Sequence, residues 1–154
     1  MEIRPILEAD YDRVIPVVND WWGGRQMTHL LPKLFFEHFQ NTSFVMEEKE
    51  SGKLVAFLIG FQSQTHPNEA YIHFVGVHPD YRKQGTARTL YELFFEKVLQ
   101  LGCDTVRCIT SAVNETSMKF HARMGFKLTM AKDYTGPGQD YILFEKKLNM
   151  DSEK

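Results

Sequence analysis

The chain has 154 residues, of which 43% are hydrophobic and 25% are charged. This length suits one domain of common size, and the composition is that of a globular protein and excludes a disordered one. The formal net charge of −2 argues against a general nucleic-acid binder, although a local basic patch can still hold an anion.

The sequence predicts a soluble protein of the cytoplasm. The first ten residues lack the apolar segment of a signal peptide, and no apolar run approaches the ~18 residues that a membrane span needs. Cys103 and Cys108 have the spacing of neither a zinc site nor a small disulfide framework, so we interpret them as buried thiols. The six histidines show no familiar ligand spacing, and we expect no metal.

Hydrophobic periodicity and turn residues divide the chain into alternating strands and helices. The predicted elements, in chain order, are a strand over 2–7, helices over 8–22 and 32–40, a hairpin over 43–64, a strand over 69–79, a helix over 88–102, a strand over 104–113, a helix over 114–126, and a strand pair over 126–134 and 140–148. Asp10 is a possible N-cap of the first helix, Asn114 caps the last helix, and Gly125 stops it. Ser51-Gly52 is the turn signal of the hairpin.

This order of elements predicts a mixed α/β (α+β) fold, with a largely antiparallel central sheet flanked by helices. We expect a single domain over 1–148 and a frayed tail over 149–154. The strand–helix–strand unit over 69–113 is expected at the centre of the sheet.

A basic turn joins the strand over 69–79 to the long helix that follows. A helix N-terminus offers unpaired N–H groups and a partial positive charge, so it holds phosphate well. Gly85 and Ala87 let an oxygen approach the main chain, while Arg82, Lys83 and Arg88 add positive charge. The patterns of a P-loop and of a Rossmann site are both absent from the sequence. The turn is therefore interpreted as a phosphate site, with an ordinary exposed basic turn as the alternative.

The run over 73–98 resembles motif A of the GNAT superfamily, the amine N-acetyltransferases that use acetyl-CoA. Arg82, Gly85 and Ala87 match its signature [RQ]-x-x-G-x-[GA]. The segment over 114–126 is similar to the second motif of the superfamily, N-x-x-[SA]-x-x-[FL]-Y-x-x-x-G-F. The matching residues there are Asn114, Ser117, Phe120, Gly125 and Phe126. His121 stands where many relatives carry a tyrosine that is the usual candidate for donating a proton to the departing thiolate.

The resemblance implies that acetyl-CoA is the co-substrate and that its pyrophosphate binds at the basic turn. The main chain near Val75 and Val77 is expected to pair with the pantetheine and to offer an N–H to the oxyanion. The implied coenzyme-A-binding residues are Val75, Val77, Arg82, Lys83, Gln84, Gly85, Thr86, Ala87, Arg88, Asn114, Ser117 and Phe120.

Acetyl transfer to an amine is the aminolysis of a thioester, and it needs a base. An alkylammonium has a pKa of about 10.4, so only about one molecule in 10³ carries a lone pair at pH 7. Strand alternation places Glu69, Tyr71 and His73 on one face, and histidine titrates near neutral pH. We expect His73 as the base, Tyr71 as a pocket-lining or water-relay residue, and Glu69 in solvent. His121 is the expected acid or thiol partner, and for both histidines a purely structural role is the alternative.

The acceptor site is expected near the connection over 19–29, which contains Gly23 and Gly24 and joins the first two predicted helices. The resemblance implies that this connection lies over the acceptor. Trp21 and Trp22 would shape a pocket, and Arg25 would hold a carboxylate or phosphate with its planar fork. The alternative is that both tryptophans belong to the core and that Arg25 is a surface charge. Tyr134, in the loop over 133–141, is a further candidate.

The leading functional interpretation is an N-acetyltransferase that acts on a primary amine of a small molecule or amino acid derivative. Two alternatives stay open, a protein lysine or N-terminal acetyltransferase and a non-catalytic acyl-CoA-binding sensor. We expect no nucleic-acid or membrane partner. A homodimer is possible because edge strands of this fold often pair between subunits.

Overall fold

A computed structural model describes residues 1–148, so the predicted frayed tail over 149–154 lies outside the described residues. Along the chain, the strands and α-helices are β1 (Glu2–Pro5), α1 (Tyr11–Trp21), α2 (Leu34–His38), β2 (Phe44–Glu47), β3 (Leu54–Gln62), β4 (Glu69–Val77), α3 (Thr86–Gln100), β5 (Thr105–Ser111), α4 (Glu115–Arg123), β6 (Lys127–Ala131) and β7 (Tyr141–Lys147). This is the predicted order of elements.

The strands form one seven-stranded sheet in the order β1-β2-β3-β4-β5-β7-β6. The pairs β1/β2, β2/β3, β5/β7 and β6/β7 are antiparallel. Strand β4 pairs with β5 in parallel, and in this register Tyr71 lies opposite Arg107. A parallel pair needs a crossover, and α3 provides it. The predicted mixed α/β fold with a largely antiparallel sheet flanked by helices is confirmed.

The chain packs as two compact units, and each is described by itself. The first unit comprises Met1–Phe61 with His73–Lys97, and the second comprises Gln62–Ile72 with the described residues from Val98 to Leu148. The boundary of the predicted domain at residue 148 stays a prediction.

The core of the first unit forms where α1 and α2 pack on the β2–β3 hairpin and on β4. Its buried hydrophobic residues are Ile6, Val14, Val18, Trp21, Leu31, Phe36, Val45, Leu54, Phe57, Ile59 and Phe74. The predicted hairpin turn is present, and Gly52 takes a φ of +73°, which glycine adopts without strain.

Asp10 does not cap α1, although it directly precedes the helix. Its carboxylate accepts from the backbone N–H of Leu7 at 2.7 Å and from both terminal nitrogens of Arg4 at 2.9 Å. Burial raises the pKa of Asp10, but these bonds and the charges of Arg4 and Arg13 outweigh it and lower the pKa. Asp10 therefore ties β1 to α1, and the predicted N-cap role is corrected.

The second short helix is shorter than predicted. α2 covers Leu34–His38, and Pro32 lies before it instead of in its first turn. The chain then turns through a 3₁₀ helix over Gln40–Thr42, where Thr42 Oγ1 donates to the carbonyl of Gly60 at 2.5 Å. This long-range bond fixes the exit from α2, and no local pattern could have indicated it.

The second unit packs α4 against the strands β6 and β7. Its buried side chains include Val106, Phe126, Ile142 and Phe144. Cys103 and Cys108 are both buried and free, as the sequence predicted. Burial raises the pKa of both thiols, so neither is activated as a thiolate.

Candidate active site

The turn between β4 and α3 has an open helix N-terminus. Gly85 takes a φ of +80°, and apart from Gly85 and its two chain neighbours no heavy atom of residues 1–148 lies within 4 Å of the position that a Cβ would occupy. The first hydrogen bond of the helix runs from the N–H of Thr89 to the carbonyl of Gly85, at 3.0 Å. The N–H groups of the first turn precede this bond and have no partner within the helix. Such a terminus fits a phosphate group by geometry and by charge.

Arg82 bonds to two backbone carbonyls outside this helix terminus. Its Nη2 donates to the carbonyl of Trp21 and its Nε donates to the carbonyl of Val77, the latter at 3.2 Å. All three cations of the turn are exposed, and Nη1 of Arg88 lies 3.8 Å from Oε2 of Glu92. Lys83 and Arg88 thus differ from Arg82 in making no bond to a backbone carbonyl of α1 or β4.

Two polar side chains hold the shape of the turn from within. Thr86 Oγ1 donates to the carbonyl of Tyr81 at 3.1 Å, and Gln84 Nε2 donates to the carbonyl of Asp80 at 3.2 Å. Both were predicted to bind coenzyme A. Their side chains instead bond to the 3₁₀ helix Pro79–Tyr81, so a contact with a ligand there falls to their backbone N–H groups.

His73 lies on the half-buried face of β4, as the alternation predicted, while its neighbours Ile72 and Phe74 are buried. Its Nε2 lies 2.6 Å from the carbonyl oxygen of Leu30, and its ring stacks on that of Phe35 at 4.4 Å. Because a carbonyl only accepts, Nε2 carries the hydrogen and the neutral ring keeps its lone pair on Nδ1. A proton can therefore be accepted only at Nδ1.

Tyr71 and Glu69 begin the same strand, in the second unit. Burial raises the pKa of Tyr71 to about 12, so its phenol stays protonated at neutral pH. Glu69 accepts from Arg107 at 3.0 and 3.2 Å, and this pairing lowers the pKa of the carboxyl group. The expectation that Glu69 is solvated is corrected, because the parallel pairing of β4 with β5 brings Arg107 beside it.

His121 is 7% exposed and packs inside the second unit. Its ring stacks on Phe144 at 4.0 Å with an interplanar angle of 10°, and Nδ1 lies 2.8 Å from the carbonyl of Ser117. Burial lowers the pKa of His121, and the bond to Ser117 opposes this only in part. At neutral pH the ring is therefore neutral, with its proton on Nδ1, and this state does not favour the predicted role as an acid.

The N-terminus of α4 is capped as predicted. Asn114 Oδ1 accepts from the backbone N–H of Ser117 at 3.1 Å, and Ser117 Oγ lies 3.3 Å from Nδ1 of His121. Phe120 is half-buried, with its ring 5.2 Å from that of His121. All three were predicted to bind coenzyme A, and this stays a prediction.

The candidate acceptor residues of the first unit differ in burial. Trp21 is 6% exposed and belongs to the core, as the alternative reading of the sequence had it. Trp22 is half-buried with its ring 4.8 Å from that of Phe74, whereas Arg25 is exposed. Gly23 and Gly24 separate the latter two at φ values of +67° and +89°.

Tyr134, the candidate of the second unit, is 50% exposed. Its ring lies 5.7 Å from that of Tyr141. Tyr141 also lines a cavity of about 210 Å³ together with Ser111 and Asp140. The loop is closed by its own bonds, since Asp140 Oδ1 accepts from the N–H of Asp133 at 2.9 Å.

Residues 8–126 match the model of the acetyltransferase (GNAT) family. The chain belongs to this family. An acetyltransferase of Yersinia enterocolitica is 24% identical over 164 residues, with 99% of each chain covered. The structure of Ard1 from Thermoplasma volcanium matches with a TM-score of 0.79 at 19% identity, over 96% of this chain and 97% of that one. A Salmonella typhimurium acetyltransferase with its cofactor acetyl-CoA matches with a TM-score of 0.73 at 18% identity, over 98% and 95%.

The matched region of this GNAT protein includes every candidate site residue except Tyr134. Among residues 1–148 no group of three or more His, Cys, Asp or Glu side chains is arranged to hold a metal ion. In the same part of the chain, no helix has the length and apolar character to cross a membrane.

Sequence reasoning missed the long-range contacts of two candidates, His73 and Arg82. The stacking of Phe35 on His73 and the bond of Arg82 to Trp21 join residues 38 and 61 positions apart, and neither has a local signature. One signal for the contact of Arg82 with Trp21 is present in the sequence. The last turn of α1 contains no basic residue, so its terminal carbonyls need a donor from another part of the chain.

Proposed function

We propose that this GNAT acetyltransferase moves an acetyl group from acetyl-CoA directly to a primary amine of a small molecule or amino acid derivative. The observation that carries the proposal is the open N-terminus of α3 behind Gly85. Its N–H groups, which have no partner within the helix, suit the pyrophosphate of coenzyme A, and Lys83 and Arg88 are exposed beside them. Acetyl-CoA supplies the thioester, and the residues of this chain bind and orient it.

His73 is the base in this proposal. Its Nε2–H is engaged by the carbonyl of Leu30, and stacking on Phe35 fixes the plane of the ring. The tautomer is thereby set, so the lone pair on Nδ1 is the one that takes a proton from the acceptor ammonium, directly or through water. Tyr71 stays protonated and acts as a lining or relay residue, not as a base.

The departing thiolate needs little help from the protein. A thiol has a pKa of about 8.5, so a thiolate can take its proton from water near neutral pH. His121 is neutral and holds its one proton against Ser117. We therefore propose that the proton comes from solvent, and that His121 packs α4 onto Phe144 of β7.

Arg25 is the proposed acceptor-binding residue, because its side chain is exposed beside the half-buried Trp22. An acceptor that carries a carboxylate or phosphate suits its planar guanidinium. A cytoplasmic location fits the two free, buried thiols. Pairing of two chains into a homodimer stays a prediction.

A panel of small amines, amino acid derivatives and peptides, assayed with acetyl-CoA by thiol release, tests the proposal. Turnover on small amines is the expected result. Turnover on peptides alone would replace it with a protein acetyltransferase, and binding of acetyl-CoA without turnover would replace it with a sensor. His73→Gln keeps a donor to Leu30 but removes the nitrogen that accepts the proton, and it should lower turnover by about 10²–10⁴. His66→Gln, at an exposed histidine in a loop of the second unit, is the matched control and should not.

A further inference from the structure

The side chain of Arg82 caps two secondary-structure elements at once. Its Nη2 donates to Trp21, the last residue of α1, and its Nε donates to Val77, the last residue of β4. The last carbonyls of a helix have no partner within it, and a positive charge at that end is favourable. The last turn of α1 contains no basic residue of its own. Arg82 supplies this cap from 61 positions along the chain.

Aromatic packing makes this end of α1 sensitive to the position of β4. The ring of Trp21 lies 5.5 Å from that of His78, the residue that follows β4. The ring of Trp22 lies 4.8 Å from that of Phe74 within β4. A movement of the turn that begins at Arg82 would therefore be felt at both tryptophans. The connection over residues 22–27, which carries Arg25, starts at this point.

We propose that Arg82 is a positioning residue that holds the connection over residues 22–27 in place relative to the basic turn, and that it is not a ligand of the coenzyme A phosphates. That coenzyme A is the ligand of the basic turn rests on the proposed function. That Arg82 holds the connection over residues 22–27 rests on the contacts of Arg82 alone. By linkage, an anion that fixes the turn also stabilises the connection, and a well-held connection strengthens anion binding by the same factor.

The first test needs no ligand, because Trp21 and Trp22 are the two tryptophans of the chain and both lie at the braced end of α1. Acrylamide quenching of their fluorescence measures how well they are held. Arg82→Met removes the N–H donors and keeps a side chain of similar length. It should increase quenching, because the two tryptophans are then held less firmly. Arg82→Lys keeps a charge and donors but not the planar fork, and should fall between Arg82→Met and the wild type. Lys83→Met, the matched control at the adjacent exposed cation, should quench as the wild type does.

The second test separates bracing from charge. Coenzyme A affinity is measured by calorimetry at about 0.05 and about 0.5 M salt, since high salt screens exposed charges. Lys83→Met should lose affinity at low salt and recover much of the loss at high salt. Arg82→Met should lose on the order of tenfold at both, because the bonds that it removes are structural. Arg82→Met should also raise the KM of the acceptor, whereas Lys83→Met should raise that of acetyl-CoA alone.

Two results overturn the role of Arg82 as a brace. One is quenching in Arg82→Met that equals the wild type, and the other is an affinity loss that disappears at high salt as it does in Lys83→Met. If Arg82→Met does not fold, Arg82→Lys decides by the same two readouts. If the wild type fails to bind coenzyme A, the proposed function fails, and the quenching series still decides the role of Arg82.

Discussion

Replacing Gly76 by alanine tests how tightly α1 and β3 pack against β4. A Cβ on Gly76 would lie 2.5 Å from Cε1 and 2.8 Å from Cζ of Phe57, and 3.1 Å from Cη2 of Trp22. Carbon atoms prefer separations of about 3.5–4.0 Å, so the ring of Phe57 would have to move. Phe57 is fully buried, and its ring stacks on those of Phe74 and Trp21 with centroids 6.0 Å away in each case. The ring therefore has little room.

Overpacking of a close-packed core costs about 1–3 kcal/mol, and the confinement of Phe57 places Gly76→Ala at about 2–3 kcal/mol. With a slope of about 1–3 kcal/mol per molar urea, the unfolding midpoint should fall by about 1 M without a change in slope. The matched control repeats Gly76→Ala in a Phe57→Leu background, where the smaller side chain leaves room and the added cost should shrink. An unchanged midpoint, or an equal cost in both backgrounds, would refute the packing argument.

Three further predictions concern charge and protonation. Asp10→Asn should destabilise the protein by about 1.5–3 kcal/mol, because the buried carboxylate loses its charged hydrogen bonds while Arg4 keeps its second partner, Glu47. Since the pKa of Asp10 is lowered, urea titrations should show wild-type stability falling as the pH drops below about 3.9, and the variant losing less there. The pKa of His121 is also lowered, so the unfolded chain takes up the proton first and stability should fall below about pH 6.5. His121→Phe should remove that dependence, and an unaltered pH profile would contradict it. Arg25→Ala should raise the KM of the acceptor at an unchanged KM for acetyl-CoA, and an effect on acetyl-CoA alone would contradict acceptor binding.

The elements of this fold could be predicted because each has a local cause. Alternation in β4 correctly separated the half-buried His73 from the buried Phe74. Asn114 was identified as an N-cap from its position before a helical pattern, and its side chain accepts from Ser117. Such features depend on neighbours in sequence, so the sequence alone contains them.

The contacts within the candidate site could not be predicted from the sequence, because they depend on distant partners. Arg82 has the place and charge of a phosphate ligand, and two of its three guanidinium nitrogens donate to backbone carbonyls of two elements. Trp21 lies two residues before a pair of glycines, which suggested a pocket, yet its ring is buried in the core. His121 occupies a motif position and is held by stacking on Phe144, a residue of the final strand. A residue type at a motif position indicates a place in the fold, whereas its role follows from what surrounds it.

Calorimetric titration of acetyl-CoA into the wild type and Gly85→Asp is the most direct test of the central claim that α3 presents a phosphate site. Aspartate tolerates the positive φ of Gly85 better than most residues, so the variant mainly places a carboxylate where phosphate oxygens would lie. Gly52→Asp, at a φ of +73° in the open hairpin turn, is the matched control for backbone strain. We expect binding by the wild type and by Gly52→Asp. Gly85→Asp should lose affinity by on the order of tenfold or more, because a like charge then lies beside the phosphates. Equal affinity in all three proteins, or no binding by the wild type, would contradict the claim.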